Sequence, residues 1–63
     1  MKSDAIKKVK WWFGTLEIEF KNGRVYRYKN VPKQLYYGMI NAKSVGKYFR
    51  DYIKDRYEYE RVK

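Results

Sequence analysis

A chain of 63 residues has the length of one small domain, and a domain near this size buries only about 60% of the surface its unfolded chain would expose, too little for a deep substrate cavity beside a complete core. With no Cys and no His, disulfide staples, zinc sites, thiol nucleophiles and imidazole bases are excluded. Sixteen Lys+Arg against seven Asp+Glu leave a net charge of +9, on a composition that at 44% hydrophobic and 21% aromatic is that of a folded protein and not of a basic tail.

Residues 1–63 read as one α+β domain that opens with three β-like runs. Residues 5–12 form the first and end at Phe13-Gly14. Residues 15–20 form the second, with Leu16, Ile18 and Phe20 alternating with Glu17 and Glu19. Asn22-Gly23 marks a turn, and residues 24–31 continue extended. A two-residue Asn22-Gly23 loop would pair Phe20 with Val25 and put Arg27 on the apolar face. A three-residue Lys21-Asn22-Gly23 loop pairs Phe20 with Arg24 and gives Gly23 the left-handed bulge position. Ile18 then faces Tyr26, Leu16 faces Tyr28 and Glu17 faces Arg27, so this register is the one expected.

Turning at Phe13-Gly14 pairs Trp11 with Leu16 and Val9 with Ile18. On the outer face Lys10 meets Glu17 and Lys8 meets Glu19. The expected product is a three-stranded antiparallel meander with Trp11, Val9, Leu16, Ile18, Phe20, Tyr26 and Tyr28 on one side. Two helices would cover that side. Pro32 fits the first position of one, with Leu35, Tyr36, Met39 and Ile40 at helical spacing. Gly38 inside it costs about 1 kcal/mol relative to Ala, which a close packing contact would justify. Ser44 fits the N-cap of the second helix, expected to run to about Asp55 with Val45, Phe49, Tyr52 and Ile53 on one face. Residues 57–62 alternate again, the pattern a fourth, C-terminal edge strand would have.

The order Leu16-x-Ile18-x-Phe20, Gly23, Tyr26-x-Tyr28, Val31-Pro32, then Ser44-Val45-Gly46-Lys47-Tyr48-Phe49, Ile53 and Tyr57-x-Tyr59 resembles the KTSC domain family across residues 6–62. The resemblance implies a small domain that extends some lysyl-tRNA synthetases at their C-terminal end and also stands alone. RNA binding has been proposed for such domains, and no catalytic residues come with them. Two departures matter for a binding edge: the turn at Phe13-Gly14 is shorter than is usual in the family, and Glu58 stands where proline is frequent.

Charge supplies the functional candidates. Residues 1–31 hold eight bases and three acids, and residues 32–63 hold eight and four, so the excess is not parked in a tail. Such a body attracts polyanions over a Debye length of about 8 Å, though the same charge serves solubility or heat stability. On the second helix Lys43, Lys47, Arg50 and Lys54 fall at i, i+4, i+7 and i+11, opposite Val45, Phe49 and Ile53. A row of this kind can follow a phosphate backbone, while an ordinary solvated face, with Asp51 and Asp55 nearby, has the same pattern. On the outer sheet face Lys10, Arg27 and Lys29 with Trp12 resemble a nucleotide-stacking platform, but Glu17 and Glu19 run down its middle and cancel the field. Tyr26-x-Tyr28 invites a stacking role as in aromatic RNA platforms, but the register puts both rings on the covered face, where they read as core with hydroxyls reaching the edge.

Glu17 and Glu19 sit in an open charge ladder and not in a pocket that would raise a pKa. Glu19-Phe20-Lys21 has the E-x-K shape of restriction-type nucleases but lacks their upstream aspartate, and there is no phosphate-cradling glycine loop. The expectation is therefore a binding module without catalytic residues, cofactor or metal. Its expected ligand is nucleic acid, RNA ahead of DNA, with weak sequence preference. The alternative is a protein-interaction or self-associating module docking by its sheet edge or through Trp11, Trp12 and the tail tyrosines. No apolar run approaches the ~18 residues of a membrane span, residues 1–4 hold no apolar leader, and no helix pattern exposes large apolar residues to a bilayer surface. A small domain without Cys fits a reducing cytoplasm.

Overall fold

A computed structural model describes residues 5–63. Residues 1–4, read above for their lack of an apolar leader, lie outside the described residues. Strands β1 (Ile6–Trp12), β2 (Thr15–Phe20), β3 (Val25–Tyr28) and β4 (Tyr59–Arg61) form one antiparallel sheet in the order β1-β2-β3-β4. Helices α1 (Lys33–Ile40) and α2 (Val45–Tyr52) connect β3 to β4. The tail that alternates in sequence is thus an edge strand, though a short one.

Both hairpins take the expected registers. Val9 lies opposite Ile18, Lys10 opposite Glu17 and Trp11 opposite Leu16. Leu16 lies opposite Tyr28, Glu17 opposite Arg27 and Ile18 opposite Tyr26. At the second turn Phe20 N–H donates to the Arg24 carbonyl (2.8 Å) and Gly23 N–H to the Phe20 carbonyl (2.9 Å). Gly23 has φ of 94°, the left-handed conformation a bulge of this type demands. The Asn22 side chain closes the loop by accepting from Arg24 N–H (3.0 Å).

One outer contact departs from expectation. The register shifts between Ile6 and Lys8. Lys8 still stands opposite Glu19, but the ammonium nearest that carboxylate is Lys7, at 3.9 Å. An irregularity in β1 re-aims the side chains beside it.

The covered face holds the core. Leu16, Ile18, Val31, Met39 and Ile53 are fully enclosed, with Tyr28 and Phe49 beside them. Each such aliphatic side chain contributes about 1.5–3 kcal/mol by leaving water. Trp11 is partly buried, and its indole N–H donates to the Val31 carbonyl (2.9 Å), tying β1 to the segment that enters α1.

The helices are shorter than their sequence patterns. Pro32 is the cap residue of α1, with extended ψ of 145°, so the helix starts at Lys33, one position after the expected start. Leu35, Tyr36 and Met39 pack inward, whereas Ile40 is 46% exposed. Ser44 caps α2 as expected, its Oγ accepting from Lys47 N–H (3.2 Å). The helix stops at Tyr52 and not near Asp55. There the Phe49 carbonyl accepts from both Ile53 and Lys54 N–H, and Asp55 turns left-handed at φ of 67°. Tyr52 therefore leaves the core and lies half exposed against Tyr48, ring centroids 4.6 Å apart. Tyr37, Ile40 and Tyr52 are exposed large residues, of which Ile40 and Tyr52 lie on the helix faces expected inward. Gly38 does permit close packing: a Cβ there would overlap the Tyr48 hydroxyl and lie 2.8 Å from its Cζ.

The first turn stores strain. Phe13 has φ of 47° and Gly14 φ of 85°, the paired positive angles of a hairpin turn that Asn-Gly adopts most readily. The Phe13 side chain is 97% exposed and recovers nothing by burial. Replacing it, Phe13→Asn, is expected to stabilise the protein by about 1 kcal/mol, since a non-glycine left-handed residue costs roughly 1–2 kcal/mol that Asn largely avoids. Urea denaturation of the two proteins checks this, and an unchanged or lowered midpoint contradicts it.

Candidate nucleic-acid interface

Four cations were expected in one row along α2. Lys43, Lys47, Arg50 and Lys54 are all exposed. Only Lys47 and Arg50 lie on the helix itself: Lys43 precedes the Ser44 cap and Lys54 follows the helix end. Arg50 approaches its neighbour Asp51 at 3.6 Å, an open pair with both side chains well exposed. Such pairs hold little energy and open easily. Among the described residues Lys43, Lys47 and Lys54 make no ion pair. Lys43 and Lys47 border a shallow depression with Tyr48, Asp51 and Tyr52. Because α2 ends early, Lys54 turns away from that depression and borders a different one.

The outer sheet face behaves otherwise. Arg27 donates to the Glu17 carboxylate at 2.9 Å, with that carboxylate largely buried, and its guanidinium sits 5.5 Å from the Trp12 ring centre. Lys29 pairs with Glu60 of β4 at 3.8 Å. Across the sheet Lys10, Glu17, Arg27 and Glu60 alternate in sign. Trp12, Arg27 and Lys29 thus lie together, but on the face away from the helices, and their charges are largely answered there. The structure does not bring them into one surface with the α2 cations. Trp11 is partly buried, with its indole N–H engaged at the Val31 carbonyl.

Sequence reasoning missed a second depression. Beyond the end of α2 the sheet continues to β4, and Tyr59 of that strand stacks on Tyr28 (5.1 Å, 30°) and tilts against Tyr26 (5.4 Å). Phe20 meets Tyr26 edge-on (5.6 Å), and Phe49 meets both Phe20 (5.8 Å) and Tyr28 (5.4 Å). The five rings form one contiguous cluster and line a hollow of about 300 Å³. Arg24, Lys54, Asn22 and Asp55 supply its polar lining. The signal was present in the alternation of residues 57–62, but only pairing of β4 with β3 places Tyr59 beside Tyr28.

Among the described residues no group of three or more acidic, Cys or His side chains gathers to hold a metal. No helix there is long and apolar enough to cross a membrane.

The sequence profile of the KTSC domain matches residues 2–57. Lysine–tRNA ligases of Trichormus variabilis and Nostoc punctiforme are 42% and 40% identical to this chain over 48 residues, a stretch that is 76% of this chain and only 9% of each ligase. An uncharacterized protein of Stutzerimonas stutzeri is 38% identical over 48 residues, 75% of this chain and 68% of that one. The crystal structure of a KTSC domain protein from Yersinia pestis matches with a TM-score of 0.87 at 26% identity, covering 100% of this chain and 92% of that one.

The wall of the hollow carries one perturbed group. Burial, and then the neighbouring Tyr59, Tyr26 and Asp55, push the Tyr28 phenol up from 10.0 to about 12. Its neutral form is therefore favoured by folding. That contribution to stability is complete below pH 10 and is lost as pH rises through 12. In a tyrosinate absorbance titration, Tyr28→Phe is expected to remove the most alkaline part of the curve. Loss of amplitude from the main transition instead would contradict the assignment.

Proposed function

The chain belongs to the KTSC domain family, and from that membership we propose that it is a non-catalytic module that binds nucleic acid, RNA ahead of DNA, through the phosphate backbone. The observation that carries this reading is the set of exposed cations at α2: Lys43, Lys47 and Lys54 without carboxylate partners among the described residues, and Arg50 in an open pair only. A net charge of +9 holds the surrounding potential positive. Backbone contacts of this kind position a strand without reading its bases, so sequence preference is weak. The preference for RNA rests on the relatives: a stretch similar to this chain occurs in proteins named as lysine–tRNA ligases. Arg27, Lys29 and Trp12 form a secondary surface on the opposite face, with weaker claims because Glu17 and Glu60 compete for their charge.

A second reading is favoured by the hairpin tip, where Phe13 is wholly exposed beside the partly exposed Trp12. A protein partner, or a second copy, would bury both.

Fluorescence titration with tRNA at low and moderate salt separates the two. Affinity is expected to fall steeply with salt, the logarithm of the association constant dropping with a slope of about −0.7 to −0.9 per phosphate neutralised. Charge reversal at Lys47, Arg50 and Lys54 to Glu should abolish binding while leaving the folded spectrum intact. Unchanged affinity in that variant removes α2 as the site. Association that survives high salt and is lost in Trp12→Ala assigns the surface to a protein partner.

A further inference from the structure

The aromatic hollow is not needed for backbone contacts, and its construction asks for a ligand of its own. Five rings line it, and at about 300 Å³ it stands at the small end of ligand sites, the scale of one heterocycle and not of an extended molecule. Tyr59 turns one face to Tyr28 yet remains 55% exposed, because β4 is the sheet edge and no strand lies beyond it. An aromatic ring held by its neighbours and still half exposed is the kind of side chain on which a base stacks.

The polar lining is arranged around that platform. Arg24 and Lys54 border the hollow, and among the described residues neither makes an ion pair. Asn22 spends its side-chain oxygen on Arg24 N–H, which leaves its amide N–H groups to donate. The Asp55 carboxylate supplies an acceptor on the same wall. Apolar faces, one acceptor, one donor and two cations match a base attached to a phosphate. They match a purely apolar peptide side chain poorly, since that would strand the polar groups.

Lys54 follows the end of α2 in the chain and borders the hollow, so one of the exposed cations read above as phosphate contacts stands at its edge. We propose that this hollow receives one unstacked base of a single-stranded nucleic acid, stacked on Tyr59, with its phosphate held by Lys54 and Arg24. The inference rests on the nucleic-acid reading above and adds strand selectivity to it: a base within a duplex must first break its pair and leave its stack to enter, which disfavours duplex.

The test compares a short oligoadenylate, an abasic strand of the same length and charge, and the oligoadenylate in duplex form. Wild-type protein is expected to bind the oligoadenylate about 5- to 100-fold more tightly than the abasic strand, and the duplex more weakly than the single strand. Tyr59→Ala should erase the difference between base-bearing and abasic strands while keeping abasic binding; charge reversal at Lys47 should weaken both strands together. As a measurement needing no variant, adenosine monophosphate should shift the ring resonances of Tyr26, Tyr28 and Tyr59. Equal binding of oligoadenylate and abasic strands overturns the hollow as a base site and leaves the phosphate reading standing. No binding of any strand at low salt overturns both, and nucleotide shifts confined to other residues overturn the hollow.

Discussion

The three-residue turn Lys21-Asn22-Gly23 governs everything downstream of it. Gly23 occupies a backbone conformation that an L side chain adopts only with strain, and the Phe20 and Arg24 hydrogen bonds lock the loop around it. Side chains alternate along a strand, so a loop of one residue fewer would turn β3 over relative to β2. Tyr26 and Tyr28 would leave the helices and Arg27 would enter the core, an unpaired charge in an apolar interior. With the bulge in place, the aromatic residues face inward. On the sheet's outer side Arg27, Lys7 and Lys29 meet Glu17, Glu19 and Glu60.

This sorting decides where positive charge stays available. On the outer sheet Glu17, Glu19 and Glu60 stand beside Arg27, Lys7 and Lys29. Among the described residues, only Asp51 answers a base at α2, and it does so in solvent. Among the described residues Lys43, Lys47 and Lys54, on and around that helix, are part of the surplus that no carboxylate answers. The turn after that helix carries Lys54 to the mouth of the aromatic hollow, so the electrostatic and aromatic features of the molecule meet at the C-terminal end of α2.

Much of this was legible before the coordinates. Both hairpin registers followed from demanding that every cross-strand pair make chemical sense, and the Ser44 cap and the packing role of Gly38 followed from residue type and position. What escaped depended on geometry that local patterns do not carry. Helical spacing of apolar residues continues past Tyr52, yet the doubly used Phe49 carbonyl ends the helix, and that end places Tyr52 outside the core. Lys7 displaces Lys8 at Glu19 because β1 has an irregularity without a glycine to announce it. The hollow needs β4 paired with β3, a contact between residues about thirty positions apart that a three-residue strand signals only faintly.

Because the chain contains no cysteine, the hairpin register can be read by crosslinking. Glu19 and Val25 stand directly opposite each other on the outer face, so the double variant Glu19→Cys with Val25→Cys should oxidise readily to an intramolecular disulfide with the fold intact. The two-residue loop would instead pair Glu19 with Tyr26, and Glu19→Cys with Tyr26→Cys should then be the pair that closes. Rapid closure of the first pair and resistance of the second is the predicted result. The reverse would place the tyrosines on the wrong face and dissolve both the aromatic hollow and the charge separation built upon it.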